Sequence, residues 1–91
     1  MSVSELTDIK ENEQMRKLHE VVSDIVADWK KPYFGAVPYI RAMRYLDSVK
    51  DNYGFDTGES LVTYFLANAT TWRGEKARAI KAELKSMLGG N

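Results

Sequence analysis

The fold is decided by the stretch LVTYFLANA, which occupies Leu61–Ala69. Its apolar residues follow one another too closely for a single helical face, so the pattern predicts a helix that is covered on more than one side. A strand is the alternative, because Val62–Phe65 contains β-branched and aromatic residues. Asp56 and Glu59 favour the helix, since a capping residue followed three positions later by glutamate satisfies the unpaired N–H groups of a helix start. We therefore predict a central, most deeply buried helix from Leu61 to about Ala69.

A first helix is predicted upstream, where apolar residues recur at spacings of three and four and so share one helical face. This helix becomes well defined after Asn12 and ends before Pro32, whose ring disfavours helical geometry in the preceding residue. Ser4 and Thr7 are its candidate caps. Its inward residues are Met15, Leu18, Val22, Ile25 and Trp29.

A second helix is predicted to begin near Pro38, because proline is well tolerated in a first turn, where its missing N–H has no partner anyway. We expect it to continue to about Asn52 and to close at Gly54 in left-handed geometry. A fourth helix follows Gly74. The inward residues are Ile40, Met43, Leu46 and Val49 in the second helix, and Ala77, Ile80, Leu84, Met87 and Leu88 in the fourth.

These elements predict an all-α protein, a compact bundle of about four helices with short loops. The 91 residues fit one domain and not two, because domains run to roughly 100–200 residues. Within this single helical domain, residues 1–91, we expect either fraying over 1–11 or an extension of the first helix through Leu6 and Ile9, and a disordered tail over 89–91.

The composition excludes several kinds of site. The chain has no cysteine and one histidine, His19, so it lacks the residues for disulfides, thiolate zinc sites and any site with two imidazoles. Its six glycines are scattered, apart from the pair near the C-terminus, and form no phosphate-binding motif. We therefore expect no catalytic residues, no metal and no cofactor. We interpret His19 as a surface side chain of the first helix.

Acidic and basic side chains are equal in number, thirteen of each, but they are segregated along the chain. The first helix is acidic and the second and fourth are basic, so an acidic helix could lie across a basic one, within one chain or between two. Proteins that bind duplex nucleic acid usually carry a basic excess, which disfavours that function here. It remains as an alternative, through a basic face of the fourth helix formed by Lys76, Arg78, Lys81 and Lys85.

The start of the fourth helix is a candidate anion site. A hydroxyl, an aromatic ring, a small residue and two cations would lie beside the N–H groups of a helix N-terminus, which favour anions. The residues are Thr71, Trp72, Arg73, Gly74 and Lys76. Trp72 could stack on the base of a nucleotide. In the structural alternative, the threonine caps the helix, the tryptophan fills the gap between helices three and four, and the arginine pairs with the acid at position 56 or 59.

An aromatic cluster surrounds the start of the second helix. Tyr33, Phe34 and Tyr39 fall within seven positions, beside Pro32 and Pro38. A loop this apolar either folds back over the core or stays exposed as a docking surface, because exposed apolar patches tend to mark partner sites. Tyrosine fits an interface, since its ring supplies contact area and its hydroxyl supplies direction. These three aromatic residues are the candidate interface.

Four segments resemble a family of small proteins encoded in phage and prophage genomes. They are YFGAVPY at 33–39, YGFDTG at 53–58, YFLANA at 64–69 and WRGEKAR at 72–78. The similarity covers about residues 32–88 and leaves out the acidic first helix. The resemblance carries no activity and no catalytic residues. It implies a short phage product that binds and blocks a component of the host.

We therefore predict a small, non-enzymatic binding protein that sequesters a host protein or a phosphorylated or nucleotide ligand, for example as a counter-defence inhibitor. We expect a homo-oligomer in the cytoplasm of the host cell. We expect no membrane partner, because no apolar run approaches the roughly 20 residues of a membrane span and no leader resembles a signal peptide. The alternatives are a nucleic-acid-binding accessory protein and a phage structural or assembly protein.

Overall fold

Four α-helices and one β-hairpin make up residues 16–89, the part of the chain that the computed structural model describes. The helices are α1 (Leu18–Asp28), α2 (Val37–Met43), α3 (Gly58–Ala67) and α4 (Glu75–Gly89). A short 3-10 helix, Phe34–Ala36, leads into α2, and the antiparallel strands β1 (Asn52–Tyr53) and β2 (Asp56–Thr57) lie between α2 and α3. The predicted compact four-helix architecture is confirmed. The fold is mostly helical, however, and the prediction of a purely all-α protein is wrong because of the hairpin.

Several predictions concern residues outside the described range. These are the caps Ser4 and Thr7, the inward position of Met15, the fraying or helical extension over 1–11 and the end of the tail at 90–91. α4 continues through Gly89, the first residue of the predicted tail.

The core is built around α3, which contacts α2, α4 and strand β2 and so holds the central position predicted for it. Its residues Leu61, Val62 and Phe65 are buried, whereas Tyr64 is 53% exposed. The inward stripe of the first helix is confirmed over its described part, where Leu18, Val22, Ile25 and Trp29 are buried. α1 contacts both α2 and α4, which closes the bundle.

α2 is shorter than predicted because a side chain in the following segment replaces helical hydrogen bonds. Asp51 Oδ2 accepts from the backbone N–H groups of Asp47 at 2.8 Å and of Ser48 at 3.1 Å. Such side chain–backbone bonds offer the chain an alternative to the helix. Leu46 and Val49 are nevertheless buried. Their spacing therefore predicted their burial correctly and their helical structure wrongly.

The segment after α2, residues 44–51, also supplies hydrogen-bond acceptors to the start of α1. The backbone N–H of Leu18 donates to the carbonyl oxygen of Asp47 at 2.9 Å, and that of His19 donates to the oxygen of Leu46 at 3.0 Å. The first N–H groups of a helix have no partner within the helix. Here a distant stretch of backbone supplies the partners.

The hairpin closes through the two-residue turn Gly54-Phe55, with Tyr53 paired to Asp56 on either side of it. Gly54 has a φ of 63°. A glycine with positive φ at the first central position is what a type II′ turn requires. Gly54 thus has the left-handed geometry that was predicted, but it has it between two strands and not at the end of a helix.

α3 is capped by Thr57 and not by the predicted Asp56. The Oγ1 of Thr57 accepts from the backbone N–H of Ser60 at 3.1 Å. Gly58, the first residue of the helix, donates its N–H to the carbonyl oxygen of Asp51 at 2.7 Å. The start of α3 is therefore tied both to the hairpin and to the segment after α2.

Arg16, which precedes α1, forms ion pairs with one acid of α1 and one acid of α4, and these pairs do not follow the predicted segregation of charge. Arg16 donates from Nε and Nη2 to the two carboxylate oxygens of Glu83 at 3.0 and 2.9 Å, and from Nη1 to Asp24 at 2.8 Å. The hydrogen bond with Glu83, followed by that with Asp24, raises the pKa of Arg16 above its usual range. A base of the acidic segment thus pairs with an acid of the basic helix, in a bidentate geometry that fixes their orientation.

Candidate functional site

Two pairs of aromatic side chains form an exposed surface beside α3, which we call the aromatic face. The ring centroids of Tyr33 and Phe34 are 4.8 Å apart, and those of Tyr39 and Tyr64 are 5.7 Å apart. Phe34 is 78% exposed and Tyr33 is 44% exposed, whereas Tyr39 is half-buried against the core. Of the two alternatives for this loop, exposure describes Tyr33 and Phe34, and cover of the core describes Tyr39. Tyr64 joins them from α3, although its sequence pattern predicts burial.

The backbone around Gly35 lies between the two pairs. Ala36 is fully buried and fastens the 3-10 helix to the core. A Cβ on Gly35 would lie 2.5 Å from Cε2 of Tyr33 and 2.8 Å from Oδ1 of Asn68, so both side chains pack closely on the backbone at Gly35. Asn68 in turn donates from Nδ2 to the carbonyl oxygen of Tyr64 at 2.9 Å. Gly35 and Asn68 thus lie between Tyr33 and the backbone of Tyr64.

A second exposed aromatic group lies at the hairpin. Tyr45 stacks on Tyr53 with ring centroids 5.7 Å apart and an interplanar angle of 23°. Tyr45 is mostly exposed, and Phe55 in the turn is completely exposed. Phe55 is absent from the predicted interface because a helix that closes at Gly54 offers no turn to present it. Each strand has only two residues, which is too short for the alternating pattern of a strand to be recognised in the sequence. The sequence therefore does not predict this aromatic group.

Trp72, the predicted base-stacking residue, lies in the core. It is 3% exposed and stacks on Trp29 with ring centroids 5.6 Å apart and an interplanar angle of 9°. Phe65 meets both indoles edge-on at 6.3 Å. The Nε1 of Trp72 donates to Oδ2 of Asp28 at 2.8 Å. The ring is therefore a core side chain and not a platform for a nucleotide base, as the structural alternative predicts.

The other residues of the predicted anion site are exposed around the start of α4. They are Thr71, Arg73, Gly74 and Lys76. Gly74 has a φ of 115°, a left-handed geometry that favours glycine. The structural alternative pairs Arg73 with the acid at 56 or 59, and this ion pair is not found among residues 16–89. Glu59 pairs instead with Lys50, at 4.0 Å. Of the predicted anion site, the cations Arg73 and Lys76 are therefore exposed, whereas the aromatic ring of Trp72 is buried.

Lys81 is turned toward the segment that joins α3 to α4. Its Nζ donates to the carbonyl oxygens of Ala69 and Trp72, both at 2.7 Å, and lies 5.8 Å from the centroid of the Trp72 ring. Lys76, Arg78 and Lys85 are exposed. One of the four cations predicted to form a nucleic-acid-binding face is therefore already engaged within the fold.

We expect Lys81→Met to lower the free energy of unfolding by about 1–3 kcal/mol, because two carbonyl oxygens lose their donor while the apolar stem is largely kept. Chemical denaturation of the two proteins measures the difference. Lys85→Met, at an exposed position one turn further along α4, is the matched control, with an expected change below about 0.5 kcal/mol. Equal effects of the two substitutions would contradict a structural role for Lys81.

The pKa of Lys81 gives this prediction a pH dependence. Burial, and to a lesser extent Lys85 and Arg73, lowers this pKa from its ordinary value of 10.5. Between the lowered pKa and 10.5, the unfolded chain binds more protons than the folded one, so the stability contributed at this position rises with pH. The difference in unfolding free energy between wild type and Lys81→Met should therefore grow over that range. A difference that shrinks as the pH rises would show the opposite sign and refute it.

A shallow groove of about 450 Å³ runs along α1. Its lining residues are His19, Val22, Ser23, Val26, Ala27 and Arg44. Val26 is 50% exposed, which leaves part of an apolar side chain uncovered in the groove. His19 is a surface side chain, as predicted, and its Nε2 lies 3.4 Å from Oδ1 of Asp47. No spacing rule predicts the groove, because the segment after α2 forms one of its edges.

The described part of the chain holds its polar groups at the surface. Among residues 16–89, no three His, Cys, Asp or Glu side chains come together as a metal site requires, and no polar or charged residue is buried. None of the helices in that range is long and apolar enough to cross a membrane.

The resemblance of residues 32–88 to phage and prophage proteins stays a prediction. No family model, curated protein or solved structure matches this chain.

Proposed function

We propose that this protein is a small, non-enzymatic helical binding protein that holds a protein partner on its aromatic face. The exposure of Phe34 carries the proposal, because 78% of a large apolar side chain is in contact with water. Removing apolar surface from water is favourable by about 25 cal/mol per Å². A partner that covers Phe34 therefore gains affinity from a side chain whose exposure contributes nothing to the fold.

The make-up of the aromatic face is typical of a protein interface. Interfaces are enriched in aromatic residues, and tyrosine in particular supplies both contact area and a hydrogen-bonding hydroxyl. The face is also preorganised. Gly35 fits between Tyr33 and Asn68, and Ala36 is fixed in the core, so binding has little flexible chain to order.

A protein partner is favoured over a nucleotide or a nucleic acid. Stacking on an aromatic ring is the main sequence-independent contact to a base, and the tryptophan predicted for it is buried against Trp29. Lys81 is engaged with two carbonyl oxygens, which weakens the basic face of α4. The aromatic face, by contrast, needs no cation to bind an apolar protein surface.

The resemblance to phage and prophage products supports a host protein as the partner, for example a component of a defence system that the bound protein would block. This part of the proposal places the protein in the cytoplasm of the host cell and has it act by sequestration. It rests on the four segments quoted above and not on the geometry of the face.

We expect Phe34→Asp to abolish retention of the partner and to leave the fold intact, because the side chain is exposed and a carboxylate is strongly disfavoured in an apolar contact. Tagged wild type and variant are incubated with lysate of a bacterial host, and the retained proteins are compared by quantitative mass spectrometry. A specific partner should fall at least about tenfold in the variant, which corresponds to about 1.4 kcal/mol of binding free energy.

Phe55→Asp is the matched control, since it makes the same change at another exposed phenylalanine, away from the aromatic face. A protein retained by wild type and by Phe55→Asp, and lost from Phe34→Asp, supports the proposal. An identical set of retained proteins for all three chains would contradict it.

A further inference from the structure

We propose that two copies of this chain form a two-fold symmetric dimer in which Phe55 of each copy inserts into the groove along α1 of the other. The contact gives an occupant to the groove and a role to the hairpin. It uses a surface separate from the aromatic face and does not depend on the proposed function.

The hairpin presents Phe55 as an isolated apolar knob. The side chain is completely exposed, and the pairing of Tyr53 with Asp56 fixes the backbone on both sides of the turn. Tyr45 stacks on Tyr53 and braces the hairpin against the rest of the fold. The backbone at Phe55 is therefore ordered before binding, so that mainly the rotamer freedom of its ring is lost in the contact.

The groove has room for a phenyl ring, and its lining is part apolar and part polar. Its volume is about 450 Å³, whereas a closed apolar cavity of about 150 Å³ is enough to bind benzene. Val26, which is half uncovered in the single chain, and Ala27 supply apolar contacts beside the polar side chains of His19 and Ser23. The guanidinium of Arg44 can lie over the face of an inserted ring, which adds a cation–π contact.

The knob and the groove adjoin, as reciprocal insertion requires. Arg44 lines the groove, and the next residue, Tyr45, stacks on the hairpin. In a two-fold dimer the same patch is used on both subunits, so one patch must contain both halves of the contact. The segment after α2 brings the two halves together here.

Charge complementarity favours a second copy as the occupant. Arg44 lines the groove, and Asp56 directly follows the knob. Both are exposed, and neither takes part in an ion pair within residues 16–89. Insertion of Phe55 carries Asp56 of one copy toward Arg44 of the other, and the symmetry forms this pair twice.

The contact is small, which sets the expected affinity. A buried aromatic side chain covers about 150–250 Å². The two-fold symmetry buries two such side chains, one from each copy. The interface therefore falls below the roughly 1,200 Å² at which specific, stable complexes begin. We expect a dissociation constant in the micromolar range and a reversible dimer.

Sedimentation velocity of the full chain tests the proposal at concentrations from about 1 µM to about 1 mM, which span the affinity of a small interface. The wild type should shift from monomer to dimer within this range. Phe55→Asp and Val26→Asp should each raise the dissociation constant at least about tenfold, as expected for the centre of an interface. Both positions are exposed, and circular dichroism checks that the variants fold. Phe34→Asp is the matched control and should dimerise like the wild type.

A charge exchange tests the symmetric pairing. Arg44→Asp or Asp56→Arg alone should weaken the dimer about threefold to tenfold, because each places like charges opposite one another. The double variant should recover the affinity, since the exchanged pair forms again at both ends of the dimer. A double variant that is no tighter than the single ones would refute the pairing of Arg44 with Asp56.

Three outcomes overturn the proposal: a wild type that stays monomeric at all concentrations, a dimer that survives both Phe55→Asp and Val26→Asp, and a dimer that is lost only in Phe34→Asp. The dimer and the binding of a host protein can also be tested independently of one another. Phe55→Asp should remove the dimer and keep the captured host protein, and Phe34→Asp should do the reverse.

Discussion

Trp72→Ala is expected to lower the free energy of unfolding by about 3–5 kcal/mol, the usual effect of removing a large aromatic side chain from a core. The substitution opens a cavity between Trp29 and Phe65 and leaves the carboxylate of Asp28 without the Nε1 donor. Native proteins have a total stability of about 5–15 kcal/mol, so the variant should lose a large share of it. Denaturation with urea, followed by circular dichroism, measures the loss.

Two further variants separate the contributions at this position. Trp72→Phe keeps a ring in the core and loses the hydrogen bond to Asp28, so its effect should be smaller than that of Trp72→Ala. Phe34→Ala removes an exposed aromatic side chain and should change stability by less than about 0.5 kcal/mol. A loss below about 1 kcal/mol for Trp72→Ala would contradict the role of the indole as a core residue.

Gly58→Ala is expected to lower the free energy of unfolding by about 1–3 kcal/mol, the range for an overpacked site. A Cβ at this position would lie 2.7 Å from Cα and 2.8 Å from the carbonyl oxygen of Val49. Those atoms belong to the backbone, which cannot rotate away as a side chain can. The start of α3 would therefore have to separate from the segment after α2, and the hydrogen bond from Gly58 to Asp51 would lengthen. Chemical denaturation measures the change.

Gly89→Ala is the matched control, because it makes the same change in a helix where nothing lies within 4 Å of the added Cβ. Neither glycine has a positive φ, so the space around the Cβ is the main difference between them. Alanine is favoured over glycine in a helix by about 0.5–1 kcal/mol, so Gly89→Ala should be neutral or stabilising. Destabilisation of equal size at both positions would rule out the backbone contact as the cause.

Helices with a regular apolar spacing could be predicted from the sequence. Leu18, Ile25 and Leu84 are inward residues of α1 and α4 by their spacing, and all three are buried. Spacing succeeds here because burial on one face repeats with the helical turn. It does not define the ends of the helices, since caps such as Thr57 and Asp56 are chemically similar neighbours and the choice between them depends on the hairpin.

The end of α2 could not be predicted in the same way. Met43, Leu46 and Val49 keep a spacing of three and are all buried, yet the chain leaves the helix after the first of them. The carboxylate of Asp51 competes for the backbone N–H groups, and the competition is settled by contacts that exist only in the folded chain, such as the bond from Gly58 to Asp51. A local pattern contains no information about such contacts.

The candidate site shows the same division. The sequence identifies Tyr33, Phe34 and Trp72 as unusual aromatic residues, but residue type does not determine which ones face water. Phe34 is exposed and Trp72 is buried because of how the loops before α2 and α4 pack on the core. Tyr64 and Phe55 enter exposed surfaces through tertiary packing and through a two-residue turn, and neither leaves a periodic signal in the sequence.

The backbone bonds that Leu18 and His19 make to Asp47 and Leu46 also bear on how the protein folds as it is made. α1 has only 11 residues, and isolated helices shorter than about 12–15 residues are marginal in water. The ribosome releases α1 well before Asp47, so the nascent chain cannot yet satisfy the amides at the start of this helix. α1 is therefore the earliest helix of residues 16–89 to be translated, but it becomes stable only after the chain beyond α2 has emerged.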